Sequence, residues 1–145
     1  MPQIKLLHEP LTRAIIGAFY EVYNTLGFGF VEHIYVMALE RELRSRGHMV
    51  RREVSVSVIY KGEELARQRM DMIIDEKVIV EVKSTYILHK AARRQIYNYL
   101  RSTNLEVGLL FHFGPEPKFY RMLHRNSSSH PVDPFDPMHP ADTSS

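Results

Sequence analysis

Apolar and polar residues alternate on both sides of the polar triplet at residues 75–77, and this period of two predicts a β-hairpin. A three-residue turn forms the pairs Ile74 with Val78, Met72 with Val80, and Met70 with Val82. A two-residue turn would place each apolar residue opposite a polar one, which a half-buried hairpin resists. The three-residue register makes one face wholly apolar and places Asp71 directly across from Glu81 on the other face.

Asp71 and Glu81 are like charges at opposed positions, an arrangement that destabilises a sheet and raises the pKa of one carboxyl unless a cation intervenes. Lys83 follows Glu81 by two residues and therefore lies on the same face of the strand. A surface network with Lys83, Arg69 or Lys77 could neutralise the two carboxylates. A divalent metal ion would do the same, and the hairpin alone supports the two explanations about equally.

The remaining apolar spacing predicts helices that flank a sheet. Helical periodicity predicts helices at residues 11–26, 31–46 and 88–101. Alternation or continuous apolar runs predict strands at residues 54–58, 69–74, 78–83, 105–113 and 118–123. The first three strands follow one another as antiparallel neighbours. The pattern favours the α/β class, with a central mixed, mainly antiparallel sheet flanked by helices.

Composition indicates one globular domain, because the 145 residues are 44% hydrophobic and 25% charged. We expect this domain at residues 1–125 and a flexible tail at residues 126–145, which holds four of the eight prolines and a serine cluster. The absence of cysteine excludes disulfides, thiol catalysis and cysteine-based zinc sites. There is no apolar run of membrane-spanning length and no signal-peptide pattern, so we expect a cytoplasmic protein without a membrane partner.

Asp71, followed by the triplet Glu81-Val82-Lys83, has the form D-x(n)-E-x-K. This pattern resembles the PD-(D/E)XK nuclease superfamily, in which an Asp and a Glu on adjacent strands bind magnesium and the Lys acts on the attacking water. Met70 stands where the Pro of the superfamily name would be, and that Pro is not a ligand.

Gly29, Glu32 and Tyr35 form the pattern G-x-x-E-x-x-Y. It is similar to that of the small bacterial and archaeal GxxExxY proteins, which are classed within the same superfamily. Gln95 and Tyr99 form a Q-x-x-x-Y pattern similar to that of RecB-like nucleases, and their spacing puts both on one helix face. The resemblance covers the chain outside the tail and implies a restriction-endonuclease-like fold.

The same resemblance implies a nuclease that depends on Mg²⁺ or Mn²⁺ and hydrolyses the phosphodiester bonds of nucleic acid. The metal ligands that it implies are Asp71, Glu81, Glu32 and the backbone carbonyl of Val82. Lys83 would orient or activate the attacking water, with Gln95 in support. The residue types suit this chemistry, because hard divalent cations need oxygen ligands and phosphodiester cleavage needs a metal-activated water.

Each of these positions also has a purely structural explanation. An acid at Glu32 suits the positive end of a helix, Gly29 can end one helix and let the next begin, and Tyr35 can be a core residue whose hydroxyl braces Glu32. The residues that could contact nucleic acid are Arg69, Arg93, Arg94 and Tyr99. Solvated surface charge and core packing explain the same residue types.

The alternative function is a non-cleaving nucleic-acid-binding, accessory or scaffold module that keeps the nuclease fold. Nucleic acid is the expected partner, DNA in preference to RNA, and a homodimer is left open. Outside the predicted tail the chain carries 19 basic and 14 acidic residues, which suits a polyanion. The sequence shows no basic groove of the kind that tight DNA binding needs.

Overall fold

The computed structural model of the protein describes residues 8–125, and the predicted tail lies outside these residues. The helices are α1 (Glu9–Leu26), α2 (Glu32–Ser45) and α3 (Lys90–Arg101). The strands are β1 (Val50–Tyr60), β2 (Glu63–Ile74), β3 (Val78–Lys83), β4 (Val107–Phe113) and β5 (Pro117–Leu123). None of the three helices has the length and apolar character needed to cross a membrane.

The five strands form one sheet in the order β1-β2-β3-β4-β5. The pair β3–β4 is parallel, because α3 carries the chain across the sheet between them, and the other three pairs are antiparallel. The predicted mixed, mainly antiparallel sheet is therefore confirmed. Every residue of β4 is buried, as a near-continuous apolar run in a central strand requires.

The two faces of the sheet have separate apolar cores. Helices α1 and α2 cover one face, where Phe19 stacks on Phe111 with ring centroids 4.4 Å apart and Tyr35 stacks on Phe113 at 4.1 Å. Helix α3 covers the other face through Ile96, Tyr99 and Leu100. In β3 the even-numbered residues pack into the first core and Ile79 into the second, so Glu81 and Lys83 lie on the α3 side.

The β1–β2 hairpin is longer than predicted, and its pairing is interrupted at Glu53. Glu53 has a left-handed backbone (φ 53°) at the position between the pairs Arg52–Met72 and Val54–Met70. On one side of this point Met72 packs beneath the first two helices, and on the other side Met70 packs beneath α3. The expectation that Met70 shares the apolar face of Val82 is therefore wrong. The side chains of β2 do not alternate strictly between the two faces of the sheet at the position opposite Glu53.

Candidate functional site

The predicted register of the β2–β3 hairpin is confirmed. The paired residues are Ile74 with Val78, Ile73 with Ile79, and Met72 with Val80. The three-residue turn has left-handed backbones at Asp75 (φ 51°) and Glu76 (φ 58°). The Asp75 carboxylate accepts a hydrogen bond from the Met49 N–H at 2.7 Å and pairs with His48 Nδ1 at 2.8 Å. The turn is thus fixed to the segment between α2 and β1.

Beyond Met72, the hydrogen bonds between β2 and β3 are accepted by side-chain carboxylates instead of main-chain carbonyls. The Asp71 N–H donates to Glu81 Oε1 at 2.7 Å, and the Val82 N–H donates to Asp71 Oδ2 at 2.8 Å. Each acidic side chain therefore accepts a hydrogen bond from the backbone of the opposite strand. The structure brings the two carboxylates together on one side of the hairpin, as the register requires.

Burial governs the electrostatics of this pair. It raises the pKa of Glu81 to about 8, and the charges of Asp71 and Glu32 push it in the same direction, against the Asp71 N–H and Lys83. Burial also raises the pKa of Asp71, opposed by the Val82 N–H, by Lys83 and by Arg52. Glu81 is only 5% exposed. The nearby Lys83 does not offset the effect of burial on these two carboxyls. A bound cation would therefore stabilise their ionised forms.

Glu32 approaches the same carboxylates from the first residue of α2. Burial raises its pKa, and Asp71 raises it further, whereas the nearby Lys83 and a hydrogen bond from the Ser84 N–H lower it. These interactions place the Glu32 side chain beside the end of β3. Glu32 therefore interacts electrostatically with Asp71, Glu81 and Lys83, although these residues come from three elements.

The loop before α2 is held by Tyr35. The Tyr35 hydroxyl donates to the carbonyl of Gly27 and accepts from the Phe30 N–H at 3.2 Å, while its ring is buried. Gly29 lies between these two anchors with φ 123°, a backbone that favours glycine. The expectation that the hydroxyl braces Glu32 itself is wrong. Tyr35 fixes the backbone that leads into Glu32, and Gly29 permits the bend.

Gln95 and Tyr99 lie on the face of α3 that packs over the site. Gln95 Nε2 donates to the Tyr99 hydroxyl at 3.0 Å, and that hydroxyl donates to the Arg69 carbonyl at 2.8 Å. Burial raises the pKa of Tyr99 to about 12, with further contributions from Glu81 and Asp71. Tyr99 is 1% exposed, so the expectation that it contacts nucleic acid is wrong in this conformation. It ties α3 to β2 beside the carboxylates.

The three candidate arginines occupy different environments. Arg94 lines the cleft that contains Lys83 and Gln95. Arg93 instead lies over the ring of Tyr120 on β5, 4.7 Å from the ring centroid, and Arg69 lies 3.6 Å from a Glu53 carboxylate oxygen. The geometry therefore leaves Arg94 as the one candidate arginine, among residues 8–125, on the wall of the cleft.

The cleft has a volume of about 650 Å³ between α3, the end of β3 and the start of α2. No sequence pattern marked the part of its wall at residues 84–87, a segment without periodicity. Sequence analysis also missed His112, which lies beside Lys83 in the parallel pair and hydrogen-bonds the Thr85 carbonyl through Nε2 at 2.8 Å. A histidine inside an otherwise apolar run was the available signal. A second cavity of about 430 Å³ between α1 and α2 is lined by none of Glu32, Asp71 and Glu81, whereas Glu32 lines the first cavity.

A family model described as the PD-(D/E)XK nuclease superfamily matches residues 9–122, which is most of the chain. The chain belongs to this superfamily. Membership supports a nuclease-type function, a nucleic acid substrate and the divalent metal ion that PD-(D/E)XK nucleases typically use. It also agrees with the restriction-endonuclease-like arrangement of a five-stranded sheet flanked by helices.

Among solved structures, the one titled "Crystal structure of SSO0001" is similar to this PD-(D/E)XK protein with a TM-score of 0.53 and 21% sequence identity. The similarity covers 67% of this chain and 52% of that chain, so the protein spans about half the length of that structure. At this identity the likeness concerns the fold alone. A comparison with curated proteins gives no match.

The donor set of this superfamily member fits a hard divalent cation. No group of three metal-ligating side chains converges within residues 8–125. Magnesium sites, however, commonly use one or two carboxylates and complete their shell with water and substrate phosphate. The backbone hydrogen bonds described above use one oxygen each of Asp71 and Glu81, and the second oxygen of each carboxylate is a suitable ligand.

Proposed function

We propose that the protein is a metal-dependent nuclease that hydrolyses phosphodiester bonds, with DNA as the preferred polymer. The proposal rests on one observation: the buried Glu81 and the half-buried Asp71 are joined within the β2–β3 hairpin, with Lys83 beside them. Gly29 in the loop before α2, and Glu32 and Tyr35 in α2, support a closer affinity with the GxxExxY proteins, because Gly29 and Tyr35 shape the backbone that leads into Glu32.

Asp71 and Glu81 would hold Mg²⁺ or Mn²⁺ directly, with the backbone carbonyl of Val82 as a further oxygen ligand and Glu32 acting through an ordered water. Such an ion supplies a lowered pKa for a bound water molecule and neutralises charge that develops on the phosphate. Because the pKa of Glu81 is raised to about 8, the ion must displace a proton from this carboxyl at neutral pH. We therefore expect metal affinity to rise with pH.

Lys83 supplies the fixed positive charge of the site. It is partly exposed at the end of β3, on the wall of the cleft, where its ammonium can meet a phosphate oxygen or orient the attacking water. Gln95 lines the same cleft and is held by the Tyr99 hydroxyl. It would support Lys83 or the phosphate, while Tyr99 keeps its own proton at neutral pH because its pKa is near 12.

The test compares Lys83→Ala and Asp71→Asn with a matched control, Lys77→Ala, which removes an exposed lysine from the hairpin turn. Lys83→Ala should lower cleavage by roughly 100-fold or more, as removal of one charge-stabilising group commonly does, and leave metal binding in place. Asp71→Asn should lose both cleavage and metal binding but keep an acceptor for the Val82 N–H. Lys77→Ala should change neither.

Cleavage is measured on single-stranded, duplex and branched DNA and RNA, and metal binding by titration calorimetry with Mg²⁺ and Mn²⁺. A wild-type protein that binds no divalent ion at millimolar concentration, even with nucleic acid present, would refute the nuclease function. Full metal binding and nucleic acid binding without cleavage of any substrate would favour the non-cleaving binding module instead.

A further inference from the structure

Residues 84–89, which we call the rim loop, connect β3 to α3 along the mouth of the cleft. Thr85, Ile87 and His89 from this loop line the cleft together with Lys83. The loop therefore begins one residue after the lysine of the site.

The rim loop is held in place from several sides. Ser84 Oγ donates to the Phe30 carbonyl at 2.7 Å, and Thr85 Oγ1 donates to the Ile87 carbonyl at 2.9 Å. The buried His112 donates through Nε2 to the Thr85 carbonyl at 2.8 Å. These bonds join the rim loop to the loop before α2 and to the central strand β4. The conformation of the rim loop is therefore fixed by contacts with the rest of the domain.

Despite these anchors, the rim loop presents apolar side chains to solvent. Tyr86 and Ile87 are each 77% exposed. The Tyr86 ring meets Phe28 edge to face, with centroids 4.9 Å apart, so it is held at a defined angle while most of its surface stays open. Phe30 and Val31, which directly precede Glu32, are also exposed. Single exposed apolar residues are common, but here they flank the carboxylate site on two fixed segments.

Many arginines among residues 8–125 are already paired with carboxylates, and the lysine and arginine on the cleft wall are Lys83 and Arg94. Several arginines lie within ion-pair distance of carboxylates: Arg13, Arg44, Arg46, Arg51, Arg52, Arg67 and Arg69. Phosphate contacts made by such side chains would have to displace these partners. Stacking of a base on one aromatic ring is worth roughly 5- to 150-fold in affinity, and only an unpaired base has a free face to offer.

We infer that Tyr86 is a stacking platform for an unpaired base, and that the site acts on single-stranded nucleic acid or on an unpaired segment next to a duplex. The inference rests on the proposed function, since it names the form of nucleic acid that the same cleft takes. Tyr86 stands beside the cleft, next to Ile87, which lines the cleft together with Lys83. Tyr86 is a binding residue in this account and takes no part in the reaction.

The test measures binding of labelled single-stranded and duplex oligonucleotides by fluorescence anisotropy, with Ca²⁺ in place of Mg²⁺ so that cleavage does not interfere. Tyr86→Ala should lower single-strand affinity by roughly 5- to 150-fold, and Tyr86→Trp should preserve it. The matched control is Tyr60→Ala, because Tyr60 is 56% exposed at the end of β1 and belongs neither to the rim loop nor to the cleft lining. It should have no effect. Duplex binding should be weaker and insensitive to Tyr86.

An oligonucleotide with consecutive abasic positions gives an independent measurement. It should bind the wild type about as weakly as Tyr86→Ala binds the intact strand, and Tyr86→Ala should weaken it no further. Equal affinity of wild type and Tyr86→Ala for the intact strand would overturn the inference. So would a Tyr86-dependent dimer, seen by sedimentation, whose loss leaves nucleic acid binding unchanged, because the rim would then cover a second copy of the chain.

Two outcomes separate this inference from the proposed function. Cleavage that depends on Lys83 but is the same in Tyr86→Ala, on every substrate, supports the nuclease and overturns the stacking platform. Single-strand binding that depends on Tyr86, without cleavage under Mg²⁺ or Mn²⁺, supports the platform and overturns the nuclease.

Discussion

The charge of Glu81 should destabilise the metal-free protein at neutral and alkaline pH, and Glu81→Gln should remove this effect. Glutamine is close in shape to glutamate and retains an oxygen that can accept the hydrogen bond from the Asp71 N–H. The variant therefore removes a buried charge without removing the acceptor. The difference between wild type and variant then reports on ionisation of this one side chain.

The sign follows from the direction of the pKa shift. Burial raises the pKa of Glu81 from 4.5 to about 8 in the folded protein. Between these values the folded protein binds a proton that the unfolded chain has lost, so stability falls as pH rises. The stabilising contribution of the neutral form is complete below pH 4.5 and is lost as the pH passes 8. The raised pKa values of Asp71 and Glu32 act in the same direction.

The interval from 4.5 to about 8, at about 1.36 kcal/mol per pH unit, sets a ceiling of ~5 kcal/mol on the loss of unfolding free energy. The observed loss should be smaller, because the strands can separate slightly and admit water, and because Asp71 shares the proton. We expect at least ~2 kcal/mol, which for a domain of this size corresponds to a fall of roughly 4–10 °C in melting temperature.

The assay is thermal and urea unfolding between pH 5 and 9 in a chelating buffer, for wild type and Glu81→Gln. The matched control is Glu76→Gln, which neutralises an exposed glutamate in the same hairpin, one that pairs with Arg51 at 2.8 Å. The control should keep the wild-type pH dependence. Adding Mg²⁺ at pH 8 should restore most of the lost stability to the wild type and much less to Glu81→Gln.

A constant stability difference between wild type and Glu81→Gln across this pH range would refute the reasoning, because Glu81 would then be ionised alike in both states. A wild type that gains stability relative to Glu81→Gln as pH rises would reverse the sign and mean that a protein cation already compensates the charge. Equal stabilisation of both proteins by Mg²⁺ would place the ion elsewhere.

Two further predictions concern the support of the site. Tyr35→Phe removes the hydroxyl that joins Gly27 to Phe30, so it should destabilise the protein by ~1–2 kcal/mol and weaken metal binding and cleavage. Urea unfolding measures the stability and calorimetry the metal affinity; an unchanged metal affinity would contradict the prediction. Gly108→Ala should destabilise by ~1–3 kcal/mol, because its Cβ would lie 2.5 Å from the Ile96 side chain, whereas unchanged stability in urea would show that α3 can shift freely over β4.

The hairpin register could be predicted from sequence because the side-chain period of a strand is two and a one-residue slip would expose the whole apolar face. The pairs Met72–Val80 and Ile74–Val78 were predicted correctly in this way. The prediction was wrong at Met70. On the neighbouring strand, Glu53 has a left-handed backbone that interrupts the pairing, and no local sequence pattern signals it. The same polar stretch, residues 51–53, concealed the first part of β1.

The placement of loop residues could not be predicted, because it depends on contacts between segments far apart in sequence. The Ser84 hydroxyl reaches the Phe30 carbonyl across 54 positions, and His112 reaches Thr85 across 27. Neither contact leaves a periodic signal. The motif around Gly29 and Tyr35 pointed to the correct loop, but the way in which it presents Glu32 became clear only from the backbone hydrogen bonds of the tyrosine.

The interleaved hydrogen bonds of Asp71 and Glu81 make the site part of the sheet, and this determines which substitutions are informative. Relief of charge repulsion alone would suggest that Asp71→Ala stabilises the metal-free protein. Alanine, however, leaves the buried Val82 N–H without its acceptor, which costs ~1–3 kcal/mol and offsets that relief. Main-chain N–H groups thus hold both carboxylates in position. Under the proposed function this arrangement would favour a bound ion at the expense of the metal-free fold, so amide substitutions, rather than alanine, separate the charge of the site from its structural role.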